Sequence, residues 1–297
     1  MSDARKCATV AIVGRPSSGK STLLNTICEM KVAITSSTPQ TTRNAIRGIY
    51  TDSRGQLIFT DTPGYHLSER SFNRRLQQTA VDALGENDII LYLLDAKRAP
   101  GAEEEHLAHL VKATGTPTVV VINKSDIATE EELAVTKAFL ATHFPDTTAL
   151  TASAQMDEGV DEILIALFSY APYGELLYPE DAYTDMDLEF RIQEILREKA
   201  IGLVTEEIPH AIYAEVVDLE YDEPTKTVWI RAFIVTERET QKAILIGKRG
   251  SGVAAIRRQA EPEIKAIFPG QKVRLDLRIK AQGKWKNNPI ILDKILR

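Results

Sequence analysis

Cysteine is scarce in this 297-residue chain; Cys7 and Cys28 are the only two. Two thiols do not make a disulfide framework. Both fall in apolar-patterned stretches, where they read as small core residues. The five histidines do not gather with cysteines or carboxylates at metal-ligand spacing, so no zinc site is expected. No apolar run reaches the ~18 residues of a membrane-spanning helix. Residues 1–6 lack the apolar centre of a secretory signal. Internal repeats and low-complexity tracts are missing too. These absences set aside secreted, zinc-stapled and membrane-spanning classes and fit a reducing cytosol.

What is present is an ordinary globular composition, 43% hydrophobic and 26% charged. The length suits about two domains of ~100–200 residues each. The net charge of −6 argues at first against a nucleic-acid partner, but it hides a split. Residues 1–187 hold 16 Lys and Arg against 26 Asp and Glu, whereas residues 242–297 hold 14 against 4. A phosphate backbone responds to local charge, so the C-terminal stretch is the candidate nucleic-acid surface.

One stretch carries a chemical signature. Gly14-Arg15-Pro16-Ser17-Ser18-Gly19-Lys20-Ser21 has the form G-x-x-x-x-G-K-[ST]. Ala8 to Val13 before it reads as a buried strand, and Thr22-Leu23-Leu24-Asn25 after it as the first turn of a helix. Strand, glycine loop and helix are the context this phosphate-binding loop needs. Backbone N–H groups turn inward, and the helix dipole adds positive potential toward an anion. Lys20 is expected at the terminal phosphates and the Ser21 hydroxyl on Mg²⁺.

Downstream, Ala45 to Tyr50 and Gln56 to Thr60 read as a strand pair, with further strands at 88–94, 118–122 and 149–154. Helical patterns lie at about 72–84, 103–113, 129–141 and 159–168. The alternation predicts a mostly parallel sheet with ligands at the strand C-terminal ends. Asp61-Thr62-Pro63-Gly64 has the form D-x-x-G: the Asp can hold Mg²⁺ through a water, and the Gly64 amide can meet a γ-phosphate oxygen. Asp-x-Pro-Gly is also a good turn. Asn123-Lys124-Ser125-Asp126 has the form N-K-x-D. A carboxylate there can accept two N–H groups from guanine, and a site built for such pairing rejects an unpaired analogue by ~10⁴–10⁵. Each motif is short, but three in this order at strand ends point together to a guanine nucleotide.

The expected domains are 1–172 and 188–297, joined by a linker over 173–187 rich in Tyr, Pro and acid. In the second, Leu188 to Lys199 reads as a helix. Val216 to Leu219 and Thr227 to Val235 read as antiparallel strands, and 273–280 as a half-buried strand. Gly247-Lys248-Arg249-Gly250 is a G-x-x-G between two helices. Such a loop lets ~four nucleotides of backbone approach closely, although glycines there also serve as helix C-caps. Lys242, Lys248, Arg249, Arg257 and Arg258 gather around it. Ile244, Ile246 and Val253 are candidates for an apolar groove floor, with at least two of them reading as domain core. Trp285, between Lys284 and Lys286, is open to base stacking or a membrane surface. Residues 289–297 form a short amphipathic helix candidate that packs on the second domain.

Together, the phosphate loop, Gln40-Thr41-Thr42-Arg43, Asp61 to Gly64, Asn123 to Asp126 and Ser153-Ala154 resemble the five nucleotide motifs of the bacterial Era GTPases. Glu206-Glu207-Ile208-Pro209-His210 and Lys284-Trp285-Lys286-Asn287 resemble that family's RNA-binding KH domain, so the likeness spans nearly the whole chain. It implies an α/β fold: a P-loop GTPase domain with a mostly parallel sheet, followed by an α+β type II KH domain. The order in the latter is helix, strand, strand, helix, G-x-x-G, helix, strand. It implies GTP and GDP as ligands with Mg²⁺, and slow intrinsic hydrolysis. It implies binding to single-stranded small-subunit ribosomal RNA near its 3′ end and assistance to assembly of the 30S subunit. It also implies a cytoplasmic monomer, with peripheral association at the inner membrane. A nucleotide-gated RNA chaperone whose hydrolysis is incidental would use the same residues.

By the same resemblance, Thr42 adds its hydroxyl to Mg²⁺ beside Ser21 and Asp61, and Lys20, Thr42 and Gly64 act on the reacting phosphate. Ser153 and Ala154 support guanine through backbone groups. Two positions depart from the pattern. Tyr65 stands where Ras-type enzymes place a water-orienting Gln, so no catalytic base is named. Ser17 stands where relatives usually carry Asn, which argues against activation by potassium.

Overall fold

The computed structural model describes residues 5–35, 42–65, 71–204 and 208–295, apart from the side chains of 71–77 and 79. Gln40, Thr41, Glu206, Glu207, Leu296 and Arg297 lie outside the described residues. The chain divides into two compact units, Met1–Asp185 and Met186–Arg297.

The first unit is built on six strands: β1 (Lys6–Val13), β2 (Ile46–Asp52), β3 (Gly55–Asp61), β4 (Ile89–Asp95), β5 (Thr118–Asn123) and β6 (Leu150–Thr151). Their order is β2-β3-β1-β4-β5-β6; β2 runs antiparallel to β3, and the other pairs are parallel. Between them lie α1 (Lys20–Ile27), α2 (Ser71–Glu86), α3 (Ala102–Thr114), α4 (Glu130–His143) and α5 (Val160–Tyr170). Ala11, Val13, Ile90, Tyr92, Leu94, Val120 and Ile122 face one core cluster with Leu84, Leu107, Val111 and Leu140 of the helices. Their neighbours Val10, Ile12, Leu91, Leu93 and Val121 are buried on the other face. Covered on both faces, the central strands read as continuous apolar runs rather than alternating ones.

Two expectations are corrected here. The last strand stops at Thr151 instead of 154: Ala152 N still donates to Ile122 O, but Ser153 pairs its backbone with Glu158, and Ala152 O and Ala154 N bond Ser125 and Asn123 of the 123–126 loop. The segment expected as a linker is, up to Asp185, a strap on the first unit. Cys7 N donates to Pro172 O, Gly174 N to Arg5 O and Ile49 N to Tyr183 O. The buried Gln56 amide accepts from Leu177 N and Tyr178 N and donates to Tyr178 O, each at 3.0 Å. Arg47 pairs with Asp185 at 3.0 Å. The open edge of β2 and one buried amide give this irregular segment the partners its composition conceals.

The second unit runs α6 (Leu188–Ile201), β7 (Ile212–Asp222), β8 (Thr227–Thr236), α7 (Glu239–Ile246), α8 (Ser251–Ile267), β9 (Lys272–Ala281) and α9 (Pro289–Ile295). The sheet order is β7-β8-β9, antiparallel then parallel. Side chains of α6, α7 and α8 share one core with the sheet. β7 begins at Ile212, four residues earlier than expected, because Ile212 to Val216 are all buried and show no alternation. Trp285 explains part of this: it is fully buried, meets the Tyr213 ring at 5.0 Å and donates from Nε1 to Ala211 O at 3.1 Å. It is therefore a core residue, not a base-stacking or membrane-facing one. In α9, Leu292 is buried and Lys294 reaches Glu215 at 3.4 Å, as packing on this unit requires.

Candidate functional site

Parallel pairing brings the C-terminal ends of β1, β3, β4 and β5 to one edge of the first sheet. From β1 the chain turns through 14–19 into α1. That helix has no acidic side chain in its first turn and no side-chain cap, so its N-terminal N–H groups and dipole remain for an anion. Lys20 is buried, and Nζ donates to Gly14 O at 3.1 Å and Arg15 O at 3.0 Å. Burial lowers its ammonium to about 8, against the opposing charges of Asp61 and Glu104.

Ser21, Thr42 and Asp61 converge beside it. Ser21 Oγ donates to Asp61 Oδ2 at 2.5 Å and lies 2.9 Å from Thr42 Oγ1, which stands 3.5 Å from the same carboxylate oxygen. Burial pushes the Asp61 carboxyl up to about 6, while Lys20, Ser21 and Thr42 pull it down. Asp61 Oδ1 and Ser18 Oγ are buried without a hydrogen-bond partner among the described residues. Three hard oxygens and an unsatisfied carboxylate oxygen have the chemistry to hold a divalent cation, and the buried ammonium beside them suits phosphate.

The D-x-x-G segment lies against the phosphate loop. A Cβ on Gly64 would come within 2.6 Å of Pro16 Cα, so only glycine allows the approach. Thr62 Oγ1 donates to Ile12 O, and Tyr65 N to Gly14 O. The Tyr65 side chain leaves the site: it is 1% exposed and stacks on His106, ring centroids 5.6 Å apart.

Asn123 joins the two loops beyond. Its Nδ2 donates to Ser18 O and its Oδ1 accepts from Ala154 N, both at 2.9 Å. Thr26 Oγ1 donates to Ala154 O at 2.8 Å. Lys124, at φ 66°, extends Nζ to Asp95 Oδ2 at 2.7 Å. Asp126 Oδ1 accepts from Ser153 Oγ at 2.7 Å, and Ser125 N donates to Ala152 O. The exposed Ser17 adopts φ 65°.

In the second unit, Gly247 to Gly250 join α7 to α8. A Cβ on Gly247, at φ 69°, would lie 2.9 Å from Ser251 Oγ, so the tight turn depends on glycine. Lys248, Arg249, Arg257 and Arg258 are exposed. Of the three apolar candidates only Val253 packs on the core; Ile244 is 57% exposed and Ile246 half-buried. The short α7 buries Leu245 alone, which corrects the expectation that two of them are core.

Comparison with known proteins agrees with this geometry. Residues 9–124 match the family model described as a 50S ribosome-binding GTPase, and residues 207–286 match the KH domain. GTPase Era of Treponema denticola is 46% identical over 96% of this chain and 98% of its own, and that of Borreliella burgdorferi 37% identical over 98% and 99%. The chain belongs to the Era family of GTPases. Two Era structures superpose with a TM-score of 0.92 over 98% of both chains. One is an Aquifex aeolicus Era variant bound to GDP and AlF4⁻, 32% identical; the other is Era with MgGDPNP and nucleotides 1506–1542 of 16S ribosomal RNA, 33% identical.

In this Era-family chain, the candidates Gly14 to Thr22, Thr42, Asp61 to Gly64, Asn123 to Asp126, Ser153 and Ala154 fall at one edge of the sheet. Two side chains do not: Tyr65, and Arg15, whose guanidinium turns to α3. Sequence reasoning missed Asp95, the partner of Lys124. Its signal was legible, a carboxylate closing an apolar strand whose register sets it beside Asn123.

Proposed function

We propose that this chain binds GTP and GDP with Mg²⁺ and hydrolyses GTP. It then uses the nucleotide state to control binding of single-stranded small-subunit ribosomal RNA near its 3′ end, in assembly of the 30S subunit. The observation that carries the reading is the convergence of Ser21, Thr42 and Asp61 next to Lys20, with Asp126 held by Ser153 on the adjoining loop. Ser21, Thr42 and Asp61 would hold Mg²⁺, whose charge offsets that of the phosphates. The loop amides and the start of α1 cradle the phosphates, and Lys20 stabilises the charge on their terminal oxygens. Gly64 offers its amide to the γ-phosphate, while Asp126 selects guanine, with Ser153 and Ala154 beneath it. Lys248, Arg249, Arg257 and Arg258 supply the positive surface for RNA, and Gly247 and Gly250 let its backbone approach. The Era complex with MgGDPNP and 16S RNA supports this pairing of ligands.

The burial of Tyr65 leaves its position without a water-orienting side chain, which favours slow intrinsic turnover and keeps a second reading open: an RNA chaperone whose hydrolysis is incidental. Single-turnover hydrolysis with and without RNA separates the two, since only the switch expects RNA to speed the chemical step. We place the protein in the cytoplasm as a monomer, with any contact at the inner membrane peripheral; no helix among the described residues is long and apolar enough to cross a membrane. Calorimetric titration with GTP and GDP tests the site: Lys20→Ala and Ser21→Ala stay folded and lose nucleotide. Unchanged affinity in both variants would sink the reading.

A further inference from the structure

Arg15 belongs to the phosphate loop by its backbone and to α3 by its side chain. The side chain is only 9% exposed, and Nη1 donates to Ala99 O at 3.2 Å. The same Nη1 lies 3.5 Å from Glu104 Oε2, and Nε lies 3.5 Å from Glu103 Oε2. Glu104 is 3% exposed and accepts from the Tyr92 hydroxyl of β4 at 2.5 Å. A buried carboxylate needs such partners. Burial pushes Glu104 up, and Tyr92 and Arg15 draw it back. Meanwhile Arg15 O is one of the two carbonyls that hold Lys20 Nζ. The next turn of α3 carries His106, the ring under Tyr65. The start of α3 thus grips the loop that holds Lys20 and the residue that follows the D-x-x-G.

We propose that Glu104 is a positioning residue for the nucleotide: by anchoring the Arg15 guanidinium it fixes the loop backbone that aims Lys20 at the phosphates. The inference rests on the nucleotide reading above. Its test is a double-mutant cycle in the full chain with Glu104→Gln, Arg15→Met and both together, joined by Tyr92→Phe and Lys20→Ala. GTP and GDP dissociation constants, kcat and KM are measured, with a thermal melt of each variant. Glu104→Gln weakens both nucleotides about tenfold and raises KM to match, with kcat within about twofold, because the lost interaction serves ground and transition states alike. The double variant is no worse than the poorer single one, since the two residues act as a unit. Tyr92→Phe, which keeps the ring and removes one hydroxyl, weakens binding about threefold. If Glu104→Gln does not fold, Tyr92→Phe decides by itself. Additive losses, a fall in kcat without a change in KM, or wild-type affinity in the folded variants would overturn the proposal. Lys20→Ala separates the two failures. Nucleotide bound as well as by wild type removes the site reading, whereas loss there with full retention in Glu104→Gln and Tyr92→Phe removes only the role of Glu104.

Discussion

Asp126 does not stand alone at the end of its loop. Ser153 donates to it, and Asn123 ties the Ser153-Ala154 loop to the phosphate loop through Ser18, so the carboxylate's direction is set from below. A carboxylate offers two acceptors to the guanine edge, and Asn replaces one with a donor. Asp126→Asn therefore loses at least about a hundredfold in GTP affinity and gains binding of xanthosine triphosphate, whose edge supplies an acceptor. Competition titration of the two nucleotides checks this; wild-type affinity for GTP would refute the assignment. The position of Asp126 beside the phosphate loop was readable in the sequence because the motif letters are contiguous and close an apolar strand. Arg15 and Glu104 were not, since 89 positions separate them and neither belongs to a periodic or spaced pattern that names its partner.

Among the elements, strands buried on both faces and capped helices were legible from apolar runs and turn residues. What stayed hidden were segments whose partners are remote. The strap over 172–185 has no periodicity; its hydrogen bonds come from Arg5 and Cys7 at the start of β1, from β2 and from Gln56. Removing that amide by Gln56→Ala takes away its three bonds to the strap, along with a fourth to Thr51, and costs the strap about 2 kcal/mol of local stability. Exchange of the Ile49 amide, which donates to Tyr183 O, then quickens about thirtyfold while amides of β5 keep their protection. An unaltered Ile49 rate would mean that Gln56 does not hold the strap. In the second unit the G-x-x-G was readable, but the exposure of Ile244 was not, because helix periodicity alone does not say that α7 buries only Leu245. Replacing both Lys248 and Arg249 with Asp reverses two charges on the proposed RNA surface. RNA affinity falls sharply, GTP binding persists, and the salt dependence shrinks by roughly 0.7 in slope per lost contact. Titrations at two salt concentrations read this out, and an unaffected double variant would move the RNA site away from Gly247 to Gly250.

For the whole molecule, the charge split fits the proposal that the two ligands bind different parts of one chain. The acidic first 187 residues carry the nucleotide motifs, and the basic tail from 242 onward carries the G-x-x-G. If the nucleotide controls RNA binding, the two ligands are linked: RNA must change nucleotide affinity by the same factor by which nucleotide changes RNA affinity. The measurement that tests this most directly is titration of single-stranded RNA from the 3′ end of 16S ribosomal RNA into the full-length protein. The protein is loaded with GDP or with a non-hydrolysable GTP analogue, and the reciprocal nucleotide titration is made with and without RNA. A switch gives RNA affinities that differ by at least about fivefold between the two states, matched by the reciprocal factor. Equal RNA affinities in both states would leave two independent binding domains on one chain and contradict the switch.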